Sequence, residues 1–217
     1  MSKRKLTVRT VRKETADSIR PFTQNPHVSV PLGIASELPN LSRAALDLEL
    51  GCGTGMFALN YTANHPERHL IAIERTVNKF ARFERAFQSQ RLTNLTPVHA
   101  DAALWVDRYM PIASIERLFI LYPNPYPKKR QRNLRWHYMP AMHSILRVLK
   151  PGAEVRMCTN LKWLIDEAAT QFIEGWHLEF DALEEVHSTS RPPLTLFEKK
   201  YLERGERCFD LTLRTPH

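Results

Sequence analysis

Apolar positions along the chain follow two rhythms. Five short runs, AALDLEL (44–50), HLIAIE (69–74), LTPVH (95–99), RLFILY (117–122) and EVRMCT (154–159), are bounded by turn-forming residues and read as buried strands. Between the second and third, Val77, Phe80, Phe83, Ala86 and Phe87 recur at intervals of three and four, which predicts an amphipathic helix. Residues 135–149 repeat that pattern through Met139, Met142, Ile145, Leu146 and Leu149, with Lys150-Pro151-Gly152 as the expected stop. Strand alternating with helix implies a mostly parallel sheet covered on both faces. Two late runs, 176–180 and 207–213, fit an antiparallel edge. No internal repeat or low-complexity tract interrupts the sequence.

Composition adds a partner class to this picture. The 217 residues suffice for one well-buried domain, and no Gly/Ser-rich or Pro-rich linker divides them. The expected division is a basic N-terminal arm over 1–40 and one domain over 41–217. Lys and Arg number 31 against 23 Asp and Glu, a net charge of +8, which points to a polyanionic partner, with plain solubility as the alternative. The excess is concentrated. Lys3, Arg4, Lys5, Arg9, Arg12, Lys13 and Arg20 face only Glu14 and Asp17 in the arm, and residues 128–135 carry five cations and no acid. Cys52, Cys158 and Cys208 have no paired spacing, so neither a zinc site nor a disulfide framework is indicated and no metal is expected. A reducing cytosol fits, and no apolar run reaches membrane-spanning length.

LELGCGTGMF puts Gly51, Gly53 and Gly55 directly after the first strand and before a helical segment, where main chain can approach a ligand closely. A nucleotide-like ligand is the default reading. A dinucleotide fingerprint would want glycine where Met56 stands, so NAD and FAD are disfavoured. Glu74 ends the second strand, placed to accept from two ribose hydroxyls. Asp101, in HADA, closes the third, where its carboxylate can accept from an adenine amino group or cap the following helix. Glu49, just before the loop, favours a cationic ligand.

The fourth strand runs into LYPNPYPKKRQRNLRW (121–136), a proline-stiffened turn bearing an amide and phenols, followed by cations. In open α/β sheets ligands bind along this strand edge.

The glycine loop and the three acids, in this order, resemble the class I S-adenosylmethionine (AdoMet) methyltransferases. LELGCGTG, AIE, HADA, YPNPYPKKR, VLKPG, CTN and PLTLFE further resemble, over nearly the whole chain, the tRNA (guanine-N7)-methyltransferase family. That resemblance implies a single Rossmann-like α/β domain with a mostly parallel seven-stranded sheet, helices on both faces and an antiparallel edge strand. It implies AdoMet as cofactor, held by Glu49, Gly51, Gly53, Gly55, Glu74, Asp101 and Asn124, and Asn124 as the catalytic position. It implies tRNA as partner, met by Lys128 and by the segment Thr195, Leu196, Phe197 and Glu198; by their chemistry Tyr126 is expected to stack on a flipped base faced by Asn124 and Asn160, and Lys128, Lys129, Arg130, Arg132 and Arg135 to bind phosphates. Thr195-x-x-Glu198 also spells a helix capping box.

The chain departs from the family pattern at three positions. The turn aspartate is Asn124, the tryptophan is Tyr126, and the aspartate after the fifth strand is Asn160. Carboxylates only accept, which suits the N1–H and N2 donors of guanine, whereas amides donate and accept. Alkylation at guanine N7 uses a lone pair and loses no proton there, so alignment matters more than a base. Three readings stay open: transfer to guanine N7 of tRNA, transfer to another base or an exocyclic amino group, and RNA binding without catalysis. Monomer and homodimer are equally open.

Overall fold

The computed structural model of the chain describes residues 45–217, so the basic arm expected over 1–40 lies outside the described residues. Seven strands form one sheet in the order β3-β2-β1-β4-β5-β7-β6. They are β1 (Ala45–Leu50), β2 (Arg68–Glu74), β3 (Leu95–His99), β4 (Ile115–Leu121), β5 (Leu149–Thr159), β6 (Glu179–Val186) and β7 (Cys208–Arg214). Strands β1 to β5 pair in parallel, and β7 runs antiparallel between β5 and the edge strand β6. Helices α1 (Met56–Asn64), α2 (Val77–Gln90), α3 (Ala102–Tyr109), α4 (Met142–Val148), α5 (Lys162–Thr170) and α6 (Leu196–Glu203) connect them.

The five early apolar runs are strands because both their faces are covered. Leu48, Ile71, Ile120 and Val155 have no exposed surface, and burying each side chain contributes about 1.5–3 kcal/mol. Leu46, Leu48 and Leu50 point into one core layer, while Phe57, Tyr61 and Phe119 build the other. Asp47 and Glu49, at alternate positions of β1, therefore belong to the second face.

Two sequence expectations are corrected. The helix expected over 135–149 is only α4, preceded by 3-10 turns at Lys129–Leu134 and Trp136–Tyr138. Pro140 has no N–H to continue a helix, and Leu149 onward is drawn into β5, pairing with Ile115. The run 176–180 is a turn for its first half: His177 has φ 59°, and β6 begins at Glu179. Trp176 instead anchors the preceding π-helical turn (Gln171–Gly175), its indole donating to the His137 carbonyl at 2.8 Å.

This topology collects the C-terminal ends of β1 to β4 along one edge. The glycine loop, Glu74, Asp101 and the proline turn all lie there.

Candidate active site

Gly51, Gly53 and Gly55 all have positive φ (77°, 61° and 81°), so the loop cannot be built from ordinary L-residues without strain. They do different work. A Cβ on Gly51 or Gly53 would meet no atom within 4 Å, whereas one on Gly55 would lie 2.0 Å from the buried ring of Phe83. Gly51 and Gly53 face the cavity described below, and Gly55 lets α2 pack against the loop. The close-packing glycine sought at Met56 is thus one residue earlier, and Met56 lines the cavity.

Asp47 and Glu49 share a strand and a face, and both are buried. Asp47 receives two bonds of 2.6 Å from Arg68 and one of 2.7 Å from the Tyr61 hydroxyl. Glu49 Oε2 is buried with no hydrogen-bond partner. Burial, then the neighbouring negative charge of Glu74, push the Glu49 carboxyl up to about 8. A buried acid without a cation is costly unless a ligand supplies one. Glu74 holds the loop: its Oε2 accepts from the Gly53 N–H at 2.9 Å and its Oε1 from the Thr76 N–H at 2.7 Å. Asp101 caps α3 through Oδ1, accepting from Ala103 and Leu104 at 3.1 and 3.3 Å. Each carboxylate oxygen has two lone pairs, so these bonds leave acceptor capacity on both residues.

The proline turn is strained at both ends, with Tyr122 at φ 51° and Tyr126 at φ 43°. Such a residue costs about 1–3 kcal/mol and persists only where its surroundings enforce it. Tyr122 donates its N–H to the Cys158 carbonyl at 2.8 Å and its hydroxyl to Glu198 at 2.9 Å. Tyr126 donates its N–H to Asn124 Oδ1 at 3.3 Å, and its carbonyl accepts from Arg135 at 2.9 Å. Arg135, read from the sequence as one of the phosphate-binding cations, is 6 % exposed and pairs with Glu167 at 2.5 Å. It is a brace for the turn, not a surface contact.

Glu49, Gly51, Gly53, Glu74, Asp101, Asn124, Tyr126, Thr195, Leu196 and Phe197 come together around one cavity of about 650 Å³, within the usual size of cofactor sites. Gly55, Lys128, Lys129, Arg130, Asn160 and Glu198 are not in its lining. Lys128, Lys129 and Arg130 are exposed beside the turn. Asn160 donates to Glu206 at 2.8 Å. Glu198 is fully buried, receiving two bonds of 2.9 Å from Arg191. The Thr195 hydroxyl accepts from the Glu198 N–H at 3.1 Å, so that pair does cap α6. Trp136, Met139, Lys79, Arg82 and Lys200 also line the cavity and were missed; Met139 read as part of a helix face, and no local spacing marked the others.

Residues 43–211 match the family model Methyltransf_4, described as "Putative methyltransferase". The chain belongs to this methyltransferase family. The resemblance read from the sequence is borne out by relatives named tRNA (guanine-N(7)-)-methyltransferase. The Mesorhizobium japonicum protein is 30% identical over 177 residues, 78% of this chain and 73% of that one. The Thermotoga maritima protein is 26% identical over 172 residues, 79% of this chain but 54% of its own length, so the chain spans about half of that relative. Among solved structures, the 16S rRNA methyltransferase KamB superposes with TM-score 0.65 at 16% identity, covering 84% of this chain and 94% of that one. At that identity the likeness concerns fold alone, and the fold is the class I methyltransferase sheet.

AdoMet is the cofactor of a methyltransferase of this family and fold. The cavity floor suits it. AdoMet brings an ammonium and a sulfonium, and the orphaned Glu49 oxygen is a buried acceptor with no cation of its own.

Proposed function

We propose that the chain transfers the methyl group of AdoMet to N7 of a guanine in tRNA. The observation that carries this reading is the pairing of two unlike halves in one cavity. Its floor holds Glu49, Glu74 and Asp101, and its outer part holds Asn124, Tyr126, Trp136 and Phe197 beside the cations that follow the turn. An acidic floor suits a sulfonium cofactor, and an aromatic-walled mouth suits a base turned out of its stack. The names of the relatives supply the base and the RNA.

In this reading Glu49 accepts from the methionyl ammonium, Glu74 from the ribose hydroxyls and Asp101 from the adenine amino group. Gly51 and Gly53 let main chain approach. Tyr126 stacks on the guanine and Asn124 holds its edge. When bound, AdoMet would supply an electrophilic methyl group to the N7 lone pair, the electrons of the broken carbon–sulfur bond would stay on sulfur, and the positive charge would pass to the base. No proton leaves N7, so the side chains align and need not deprotonate. Lys128, Lys129 and Arg130 hold phosphates beside the target nucleotide. Glu198 acts through Tyr122, as a positioning residue for the turn.

The test is incubation with methyl-labelled AdoMet and unmodified total tRNA, followed by nucleoside analysis. Label in N7-methylguanosine is the expected result. Label in another nucleoside would move the reading to a different base, and no incorporation with intact AdoMet binding would favour an RNA-binding role.

A further inference from the structure

Four cations line the cavity that the sequence had not marked: Arg75, Lys79, Arg82 and Lys200. Lys79 and Arg82 lie three apart on one face of α2, Arg75 stands two residues before the helix begins, and all four are exposed. Lys200 lies three residues after Phe197, on the same face of α6. The two faces meet, with Lys79 Nζ lying 5.9 Å from the centre of the Phe197 ring. Phe197 is 48% exposed and Leu196 55%. Among the described residues none of the four cations pairs with an acid.

The cofactor does not account for this cluster. AdoMet carries one carboxylate, and its positive groups are served by the acids of the floor. Four exposed cations interleaved with an exposed aromatic are the combination that holds phosphates and stacks bases. The turn with Lys128, Lys129 and Arg130 follows β4, whereas α2 follows β2, and β1 lies between those two strands in the sheet. The α2 cations therefore approach the cavity from the other side of the glycine loop, and α6, tied to the turn by the Tyr122–Glu198 bond of 2.9 Å, reaches across to them at Phe197.

We propose that Lys79 and Arg82 of α2, with Lys200 of α6 beside them, form a second RNA contact that brackets Phe197, the α2 cations holding the phosphates on the side of the target base away from Lys128, Lys129 and Arg130. The strand is gripped on both sides of the nucleotide that enters the cavity. This inference rests on the reading of the chain as a tRNA methyltransferase.

The test uses the full chain carrying Lys79→Gln, Arg82→Gln and Lys200→Gln together. A second variant carries Lys128→Gln, Lys129→Gln and Arg130→Gln. Equilibrium binding of unmodified tRNA is measured across a salt series, with calorimetry of S-adenosylhomocysteine as the control for folding. The bracket variant is expected to lose about tenfold or more in tRNA affinity at about 0.1 M salt and to flatten the log–log salt slope by about 2 to 3. Its S-adenosylhomocysteine binding is retained. A bracket variant that binds tRNA as the parent does, while the second variant loses affinity, overturns the bracket and leaves the proposed function standing. A parent that binds no tRNA at any salt sinks both.

Discussion

Arg135 donates to the main-chain carbonyl of Tyr126 at 2.9 Å, and the same guanidinium pairs with Glu167 at 2.5 Å. A buried cation thus ties the strained turn to α5. His137 joins the pair, its Nε2 lying 3.0 Å from Glu167, while burial holds the His137 imidazole below its usual range. The brace matters because Asn124 and Tyr126 have no strand or helix of their own to fix them.

Removing Arg135 takes from Glu167 its closest cation, leaving it His137 at 3.0 Å and Arg132 at 3.9 Å. Arg135→Ala is expected to cost roughly 3 kcal/mol of stability and to lower kcat for methyl transfer with little change in AdoMet affinity. Arg135→Lys keeps the charge opposite Glu167 but loses the planar fork that reaches Tyr126, so it should recover stability more than kcat. Denaturant unfolding and steady-state kinetics of the two variants check this. Equal loss of kcat and stability in both would make Arg135 a folding residue only.

Glu49 gives a pH dependence with a definite sign. With its folded pKa raised from 4.5 to about 8, the ligand-free protein holds a proton there that the unfolded chain has released. Its contribution is fully present below about 4.5 and is lost as pH rises through about 8, at no more than about 1.4 kcal/mol per pH unit. Cofactor binding runs the other way. A cationic ligand prefers the carboxylate, so AdoMet affinity should rise from pH 6 toward about 8 with release of a proton, and stop rising where the ligand's own ammonium, with an ordinary pKa of about 7.7–8.0, is lost. Calorimetry in buffers of different ionisation enthalpy reads that proton. Glu49→Gln should flatten both profiles; an unchanged binding profile in that variant would remove Glu49 from the ammonium site.

Gly55 and Gly51 are expected to respond differently to the same substitution. Gly51→Ala meets no atom and suffers only the left-handed backbone, about 1–2 kcal/mol. Gly55→Ala adds a Cβ 2.0 Å from the Phe83 ring, which overpacks the core by a further ~1–3 kcal/mol. Thermal unfolding compares them, and pairing Gly55→Ala with Phe83→Leu should return part of the loss. Equal destabilisation by the two single changes would mean that Phe83 yields freely.

The two amides that replace acids of the family pattern separate in the structure. Asn124 lines the cavity and spends its oxygen on the Tyr126 N–H, which leaves its Nδ2 as the donor for an acceptor on the base. Asn124→Asp should therefore reduce methyl transfer by about tenfold or more, the scale of one lost or repelled hydrogen bond. Asn160→Asp instead sets a carboxylate against Glu206, whose oxygen lies 2.8 Å from the Asn160 amide. Its expected effect is on stability, about 1–2 kcal/mol at neutral pH and less in acid. Transfer rates on one tRNA pool and unfolding at two pH values test both; higher activity in Asn124→Asp would mean that the base presents donors there.

By itself the sequence determined what depends on short range. Buried strands alternating with helical periods implied the parallel sheet, because period and turn chemistry act over a few residues. The glycine loop with acids at successive strand ends implied the ligand edge, because a parallel sheet brings those ends together. Even so, the period overran at Pro140, where a missing N–H and the pull of β5 ended the helix. Only the tertiary structure decided which charged groups are spent on the fold. Arg135 looked like its cationic neighbours until Glu167, 32 residues away, was brought against it. Asp47 and Glu49 are equivalent in the strand pattern, and only the approach of Arg68 neutralises one and leaves the other for a ligand. Lys79 and Phe197 meet because α2 and α6, from opposite halves of the sheet, converge on one cavity. Pairings of that range depend on where the sheet order sets the helices, which no local spacing encodes.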